Sequence, residues 1–279
     1  MSTLTACDGC GATADLGAGG LCAHCAGSGL TPVGRVEHDL DTLAVVSRPG
    51  PGHVHNEDAF FISVAEGLGA VAVVCDGVGS SSAAREAAAA AARTAGRILA
   101  RGIRGGAAIT AELSLGAVEE ARTAVAAVTS GAPDPAPLPA CTLVSLVWAA
   151  GELTVAWVGD SRAYWIGDDS ARRLTVDDAV TRAGRGRPLT RWLGADAPAG
   201  PAGLETYRPT RHGRVVVCSD GLWTSLSPGG SPTSLSAVLS PSARPLSAAR
   251  RLADLAVDRG ARDDVTVAVL DTGVLTRSS

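Results

Sequence analysis

Lysine is absent from this chain: all 24 positive side chains are arginine, which excludes Schiff-base and other lysine-centred chemistry. An excess of positive charge is missing too. Against 28 acidic residues the formal net charge is −4, so there is no basic field to attract a nucleic-acid backbone. No apolar run reaches the ~18 residues of a membrane span. The first residues lack the charged and then apolar regions of a secretory signal. The expectation is a soluble, cytoplasmic, monomeric protein with neither nucleic acid nor membrane as partner. Charged residues are sparse at 19% while hydrophobic residues reach 46%, which allows a sizeable core and argues against general disorder. A length of 279 residues suits one large domain with a small appendage.

Seven cysteines, an odd number, do not read as a disulfide framework. Four of them form Cys7-x2-Cys10 and Cys22-x2-Cys25, pairs separated by eleven residues. Thiolates at that spacing close on tetrahedral Zn²⁺ through tight knuckles. Gly9, Gly11, Gly17, Gly19 and Gly20 provide the turns, and residues 1–30 hold too little apolar side chain to fold without metal. With all four positions taken by Cys, such a zinc would be structural; His24 is a weaker candidate ligand. A ribbon that recruits protein or nucleic acid is a further reading, but residues 1–30 contain no Arg. The run Gly27–Pro32 reads as linker, so the chain divides into a zinc ribbon over 1–30, a linker at 31–35, a large domain over 36–272 and a tail at 273–279. Cys75, Cys141 and Cys218 read as small packed hydrophobes, with redox sensing the alternative for Cys75 and Cys218.

In the large domain one device recurs. Ala70–Gly79, AVAVVCDGVG, is a short apolar run that ends in Asp76 and Gly77. Such a run reads as a buried strand that delivers a carboxylate to its own end. Val215–Gly221, VVVCSDG, repeats it with Asp220, and Leu153–Arg162, LTVAWVGDSR, ends near Asp160. Asp263 and Asp264 precede the strand VTVAVL, and Glu57 and Asp58 precede Ala59–Ile62. Convergent carboxylates repel unless a cation lies between them, and hard divalent ions prefer oxygen ligands, so a site for Mg²⁺ or Mn²⁺ is expected. His53 and His55 alternate and could offer a transition metal two nitrogens, but their acidic surroundings favour the harder ion. Gly after Asp76 lets the Gly77 carbonyl approach a metal closely.

Between these strands the spacing predicts helices over Ala83–Arg101, capped by Ser80–Ser82, and over Ala107–Val128. It also predicts a hairpin turning at Gly151–Glu152 that continues as a meander into Ala163–Ile166. A helical reading is made near Leu189–Leu193, a loop is read over Ala195–Gly203, and a late helix over Leu246–Arg259. The class is α+β, antiparallel sheets packed between helices.

NEDA at 56–59, VCDGVG at 74–79, VGDSRAY at 158–164, LT at 174–175, TRWLG at 190–194, CSDGLW at 218–223 and RDDVTVAV at 262–269 resemble, in order, the motifs of the metal-dependent protein phosphatases. This is the type 2C or PPM family of serine/threonine phosphatases, and the likeness covers about 36–272. The resemblance implies an α-β-β-α sandwich of two antiparallel sheets with a binuclear Mn²⁺/Mg²⁺ site at their ends. It implies hydrolysis of phosphoserine and phosphothreonine on kinase-phosphorylated proteins by a metal-bound water. Carried over by position, Asp58, Asp76, Asp220 and Asp263 would be metal ligands and Gly77 a carbonyl ligand. Asp160 would serve a third metal, and Glu57 would contribute weakly. Zinc-ribbon fusions of this kind resemble actinobacterial members, which fits the Ala-, Gly- and Arg-rich composition.

Three departures stand out. His53 occupies the place where the family commonly has a phosphate-holding Arg, and neutral His is a poorer clamp than a guanidinium fork. Either His53 or the nearby Arg48 would hold the phosphate. DGVGS replaces DGMGG, and Asp263-Asp264 replaces Asp-Asn, adding a carboxylate that could raise metal affinity or repel phosphate. The alternative to an enzyme is a catalytically weak regulator that binds phosphoproteins on the same fold.

Overall fold

Most long strands here are buried at nearly every position rather than at alternate ones, because each sheet is covered on both faces. Ala59–Ala65 is buried at all its residues. The period of two sends Phe60 and Ile62 into one core with Val74, Leu146, Val215 and Leu270, and Phe61 into another with Ala88, Ala92 and Leu99. The structure, a computed structural model, describes residues 5–7, 13–14, 25–27, 34–79, 81, 83–106, 111–128, 137–168, 170–180, 187–226, 230–239 and 243–273.

Two six-stranded sheets face each other. The first runs in spatial order Gly203–Tyr207, Glu152–Val158, Leu143–Ala149, Gly69–Cys75, Ala59–Ala65 and Cys25–Gly27. The second runs Ala171–Arg173, Arg162–Ile166, Arg214–Cys218, Val265–Asp271, Leu43–Arg48 and Val36–Asp39. Every neighbouring pair is antiparallel. Helices α1 (Ala84–Arg104) and α2 (Ala111–Ala126) cover the first sheet. Helices α3 (Asp220–Leu226), α4 (Pro232–Ser236) and α5 (Pro245–Asp258) cover the second. The α-β-β-α layering is as expected. The alanine-rich face of α1 lies close to the sheet, and at Gly96 an added Cβ would sit 2.2 Å from Phe61 Cγ.

Several local expectations are corrected. Ala83 takes the N-cap position of α1 without a side-chain cap bond, although Ser81 Oγ accepts from the Ala83 N–H at 3.3 Å. Ser80 and Ser82 lie outside the described residues. The hairpin turns one residue early: Ala149 pairs with Glu152, and Ala150 and Gly151 both have positive φ, 49° and 76°, as a two-residue turn of the primed kind requires. The meander does not continue. Glu152–Val158 belongs to the first sheet and Arg162–Ile166 to the second, so Gly159-Asp160-Ser161 is a crossover between them. Gly159 has φ 103°, and a Cβ there would meet Thr142 Cγ2 at 2.7 Å. The helix near Leu189–Leu193 does not form. Leu193–Gly194 instead pairs with Ala140–Cys141, which also pairs with Gly77–Val78.

At the N-terminus Cys25–Gly27 is an edge strand of the first sheet, with Cys25 opposite Ser63 and Gly27 opposite Phe61. Thr5–Ala6 pairs with Thr13–Ala14, and Cys7 is buried. Cys10 and Cys22 lie outside the described residues, as do 31–33 of the expected linker and 274–279 of the tail. Among the described residues no helix is long and apolar enough to cross a membrane.

Candidate metal centre

Strand register decides which carboxylates meet. Ala59 pairs with Cys75, so Asp58 and Asp76 emerge from adjacent strands at the same end of the first sheet. In the second sheet Cys218 pairs with Val267, which brings Asp220, the first residue of α3, toward Asp263, two residues before Val265. Asp160 lies on the crossover between the sheets. Thr142 ties these segments together: its Oγ1 accepts from the Asp76 N–H at 3.1 Å and bonds Ser161 Oγ at 2.7 Å.

The result is a cleft of about 910 Å³ whose acidic floor is Glu57, Asp76, Asp160, Asp220 and Asp263, with Gly77 beside them. Asp58 lies beneath it, 1% exposed. Ser219 Oγ donates to Asp58 Oδ2 at 2.7 Å, while Asp58 Oδ1 has no partner among the described residues. Asp220 Oδ1 is also buried and, among the described residues, unpartnered. The need for glycine at 77 also has a packing cause, since a Cβ would sit 2.8 Å from the Ala84 backbone and 2.9 Å from the Glu57 carbonyl oxygen.

The electrostatics follow from this crowding. Burial, then the charge of Asp264, holds the Asp58 carboxyl well above the usual carboxylate range. Burial, then Asp58, does the same to Asp76. Asp160 is pushed up to about 6 by burial and by Asp177. Asp220 is pushed up to about 7 by burial, Asp160 and Asp263. Burial, then Asp264, raises Glu57. These groups resist ionising together unless positive charge enters. All-oxygen donors, two of them buried and orphaned, suit a hard divalent ion.

His53 lines the cleft, with its Nδ1 2.8 Å from Asp264 Oδ1 and 4.0 Å from Asp263 Oδ1. Burial depresses its pKa, but the hydrogen bond and charge of Asp264, joined by Asp263 and Glu57, outweigh that, so the net shift is upward. His53, Asp263 and Asp264 bring ligand atoms within 4.8 Å of one another. Asp264 itself is turned inward with a side chain 2% exposed, while Asp263 is 54% exposed. Arg48 does not line the cleft; it turns toward Asp254 of α5, 3.7 Å away.

The sequence reading missed Arg187, a cation on the cleft wall. Its Nη2 lies 2.5 Å from Asp177 Oδ2, and its guanidinium stands 5.2 Å from the Trp223 ring. The same Asp177 takes a two-pronged bond from the buried Arg162, Nε at 2.8 Å and Nη2 at 2.6 Å. Arg162 stacks 3.6 Å from the Trp223 ring centroid, and Trp223 Nε1 donates to the Asp160 carbonyl at 2.9 Å. This network anchors the crossover that carries Asp160. The Asp-Ser-Arg motif hinted at Arg162; nothing periodic marked Arg187.

Residues 52–257 match the family model described as protein phosphatase 2C. No curated protein matches the chain. Among solved structures, the PPM Ser-Thr phosphatase MsPP from Mycobacterium smegmatis, in complex with cacodylate, is 27% identical with a TM-score of 0.61, over 83% of this chain and 98% of that one. The catalytic domain of the serine threonine protein phosphatase PstP, in complex with two manganese ions, is 24% identical with a TM-score of 0.66, over 85% of this chain and 98% of that one. The serine/threonine phosphatase PstP/Ppp from Mycobacterium tuberculosis, 23% identical with a TM-score of 0.65 over 82% of this chain and 97% of that one, shares the fold.

Proposed function

The chain belongs to the protein phosphatase 2C family, and from that premise we propose that its cleft hydrolyses phosphoserine and phosphothreonine on kinase-phosphorylated proteins. The observation that carries this reading is the convergence of Asp58, Asp76, Asp160, Asp220 and Asp263 from both sheets, with Oδ1 of Asp58 and Asp220 buried and unpartnered. Asp58, Asp76, Asp220, Asp263 and the Gly77 carbonyl are the ligands we assign to two Mn²⁺ or Mg²⁺ ions. Asp160 serves a third, with Glu57 peripheral. The manganese of the PstP relative supports the choice of ion, and the cacodylate bound to MsPP supports an oxyanion-binding role. Such ions supply positive charge to phosphoryl oxygens and lower the pKa of water.

The chain's own side chains do the rest. Ser219 holds Asp58 by one oxygen and leaves the other free to coordinate. His53 and Arg187 stand on the wall where N–H groups can meet phosphoryl oxygens. Among the described residues no hydroxyl or thiol side chain lines the cleft, which favours direct hydrolysis over a phosphoenzyme on such a group. We also assign Cys7, Cys10, Cys22 and Cys25 to one structural Zn²⁺ on the strength of their spacing.

One preparation tests both assignments. After extensive dialysis the full chain should retain one zinc per molecule, and phosphate release from a phosphothreonine peptide should require added Mn²⁺ and stop with chelator. Turnover undiminished by chelator would contradict the metal mechanism, and zinc-free chain would remove the ribbon.

A further inference from the structure

We propose that Asp264 is the positioning residue for His53, forming a carboxyl–imidazole pair that sets the phosphate-facing wall of the cleft; this rests on the phosphatase reading above. Three donors converge on one carboxyl. Oδ1 accepts the Gly50 N–H at 2.7 Å and lies 2.8 Å from His53 Nδ1, while Oδ2 accepts the Glu57 N–H at 2.6 Å. Backbone N–H groups can only donate, so both oxygens serve as acceptors and the ring nitrogen facing Oδ1 carries its hydrogen. The tautomer and the ring plane are thereby fixed from the protein side. The ring, 39% exposed, keeps its remaining edge for the cleft it lines.

The same carboxyl staples both ends of the 50–57 loop to the strand end that bears Asp263. Gly50 is held at one end, Glu57 at the other and His53 between them. A carboxyl engaged in this way is directed at N–H groups rather than at a metal, and Asp263 is the member of the cluster open to the cleft. An amide at 264 would offer one accepting oxygen and turn an NH₂ toward the N–H of Glu57 or of Gly50 and His53. Asp is therefore the residue this arrangement requires. The unexpected His at 53 and the unexpected Asp at 264 become one device, in place of an added carboxylate that draws metal or repels phosphate.

The test compares Asp264→Asn, His53→Gln and the double variant in the full chain with saturating Mn²⁺. Readouts are KM and kcat on a phosphothreonine peptide, the inhibition constant of inorganic phosphate, and the Mn²⁺ concentration for half activation. Each single change should raise KM and the phosphate inhibition constant by about five- to tenfold with kcat within about threefold. The double variant should fall well short of the product of the two single effects, because the His53 ring is common to both. His53→Arg should restore KM in the Asp264→Asn background, since a guanidinium presents its donors without an orienting carboxyl.

Multiplying effects, or a shift in Mn²⁺ activation with phosphate inhibition unchanged, would overturn the proposal. Should Asp264→Asn fail to fold, the nitrogen NMR spectrum of the unmodified chain decides, with His53 assigned by His53→Gln: hydrogen on Nδ1 is expected, and a ring protonated at Nε2 alone is fatal. An inert Asp76→Ala alongside a silent Asp264→Asn would sink this inference alone, whereas a fully active Asp76→Ala would sink the phosphatase reading beneath it.

Discussion

Asp58 beneath the cleft and Asp76 in its floor are placed as neighbours of a paired strand end, Ala59 opposite Cys75, whereas His53 and Arg187 reach the cleft from segments without regular structure. Floor and rim therefore differ in how they are held. The floor is fixed by sheet register and by buried hydroxyls, Thr142 under Asp76 and Ser219 against Asp58. The rim is held by side-chain carboxyls, Asp264 at His53 and Asp177 at Arg187. Register placement puts mutually repelling carboxylates together at a cost that a bound cation or a proton relieves, while side-chain pairing sets contacts that tune affinity.

Substitutions in the floor should have the largest effect. Asp76→Ala or Asp220→Ala should lower Mn²⁺-dependent turnover by about a hundredfold or more, ~2.7 kcal/mol in barrier. Retention of more than ~10% of activity in both would break the distinction between floor and rim.

Next comes the pH dependence of the metal-free fold, which sharpens the electrostatic half of the comparison. Asp160 and Asp220 have folded pKa values raised to about 6 and about 7. A raised carboxyl stabilises the fold fully below its unfolded value and ceases to do so as pH rises through the folded value. The melting temperature of metal-stripped chain should therefore fall between about pH 5 and about pH 8, and Mn²⁺ should raise it more at the higher pH. A flat profile without metal would mean the carboxylates are not crowded.

The smallest effect is expected at the rim. Arg187→Ala should raise KM for a phosphopeptide about three- to tenfold and leave kcat nearly unchanged, as for a solvent-accessible charge-assisted contact. A fall in kcat as deep as that of Asp76→Ala would place Arg187 with the floor.

The same division explains what was legible in the sequence. Carboxylates beside short apolar runs could be read because a strand end is a local pattern; strands interspersed with long helices gave antiparallel sheets packed between helices, and the four-layer order came from the motif resemblance. The crossover at Gly159–Ser161 read as a meander because a strand, a short break and a strand look alike whether or not the chain changes sheets. The close approach of Gly159 to Thr142 at the crossover is not visible in a local pattern. Leu189–Leu193 read as helical, and the pairing of Leu193–Gly194 with Ala140–Cys141 overrode it. Cys25–Gly27 docks on Ala59–Ala65 by backbone bonds that cysteine spacing does not announce. Arg187 carries no periodic signal, and the role of Asp264 emerges only when residues 211 positions apart meet.

Titration of Mn²⁺ into metal-stripped chain by calorimetry tests most directly the claim that carboxylates from two sheets share bound cations. At least two ions should bind the unmodified chain, and Asp220→Ala, which alters the second sheet's contribution alone, should lose at least one of them. Unchanged stoichiometry and affinity in Asp220→Ala would contradict the account.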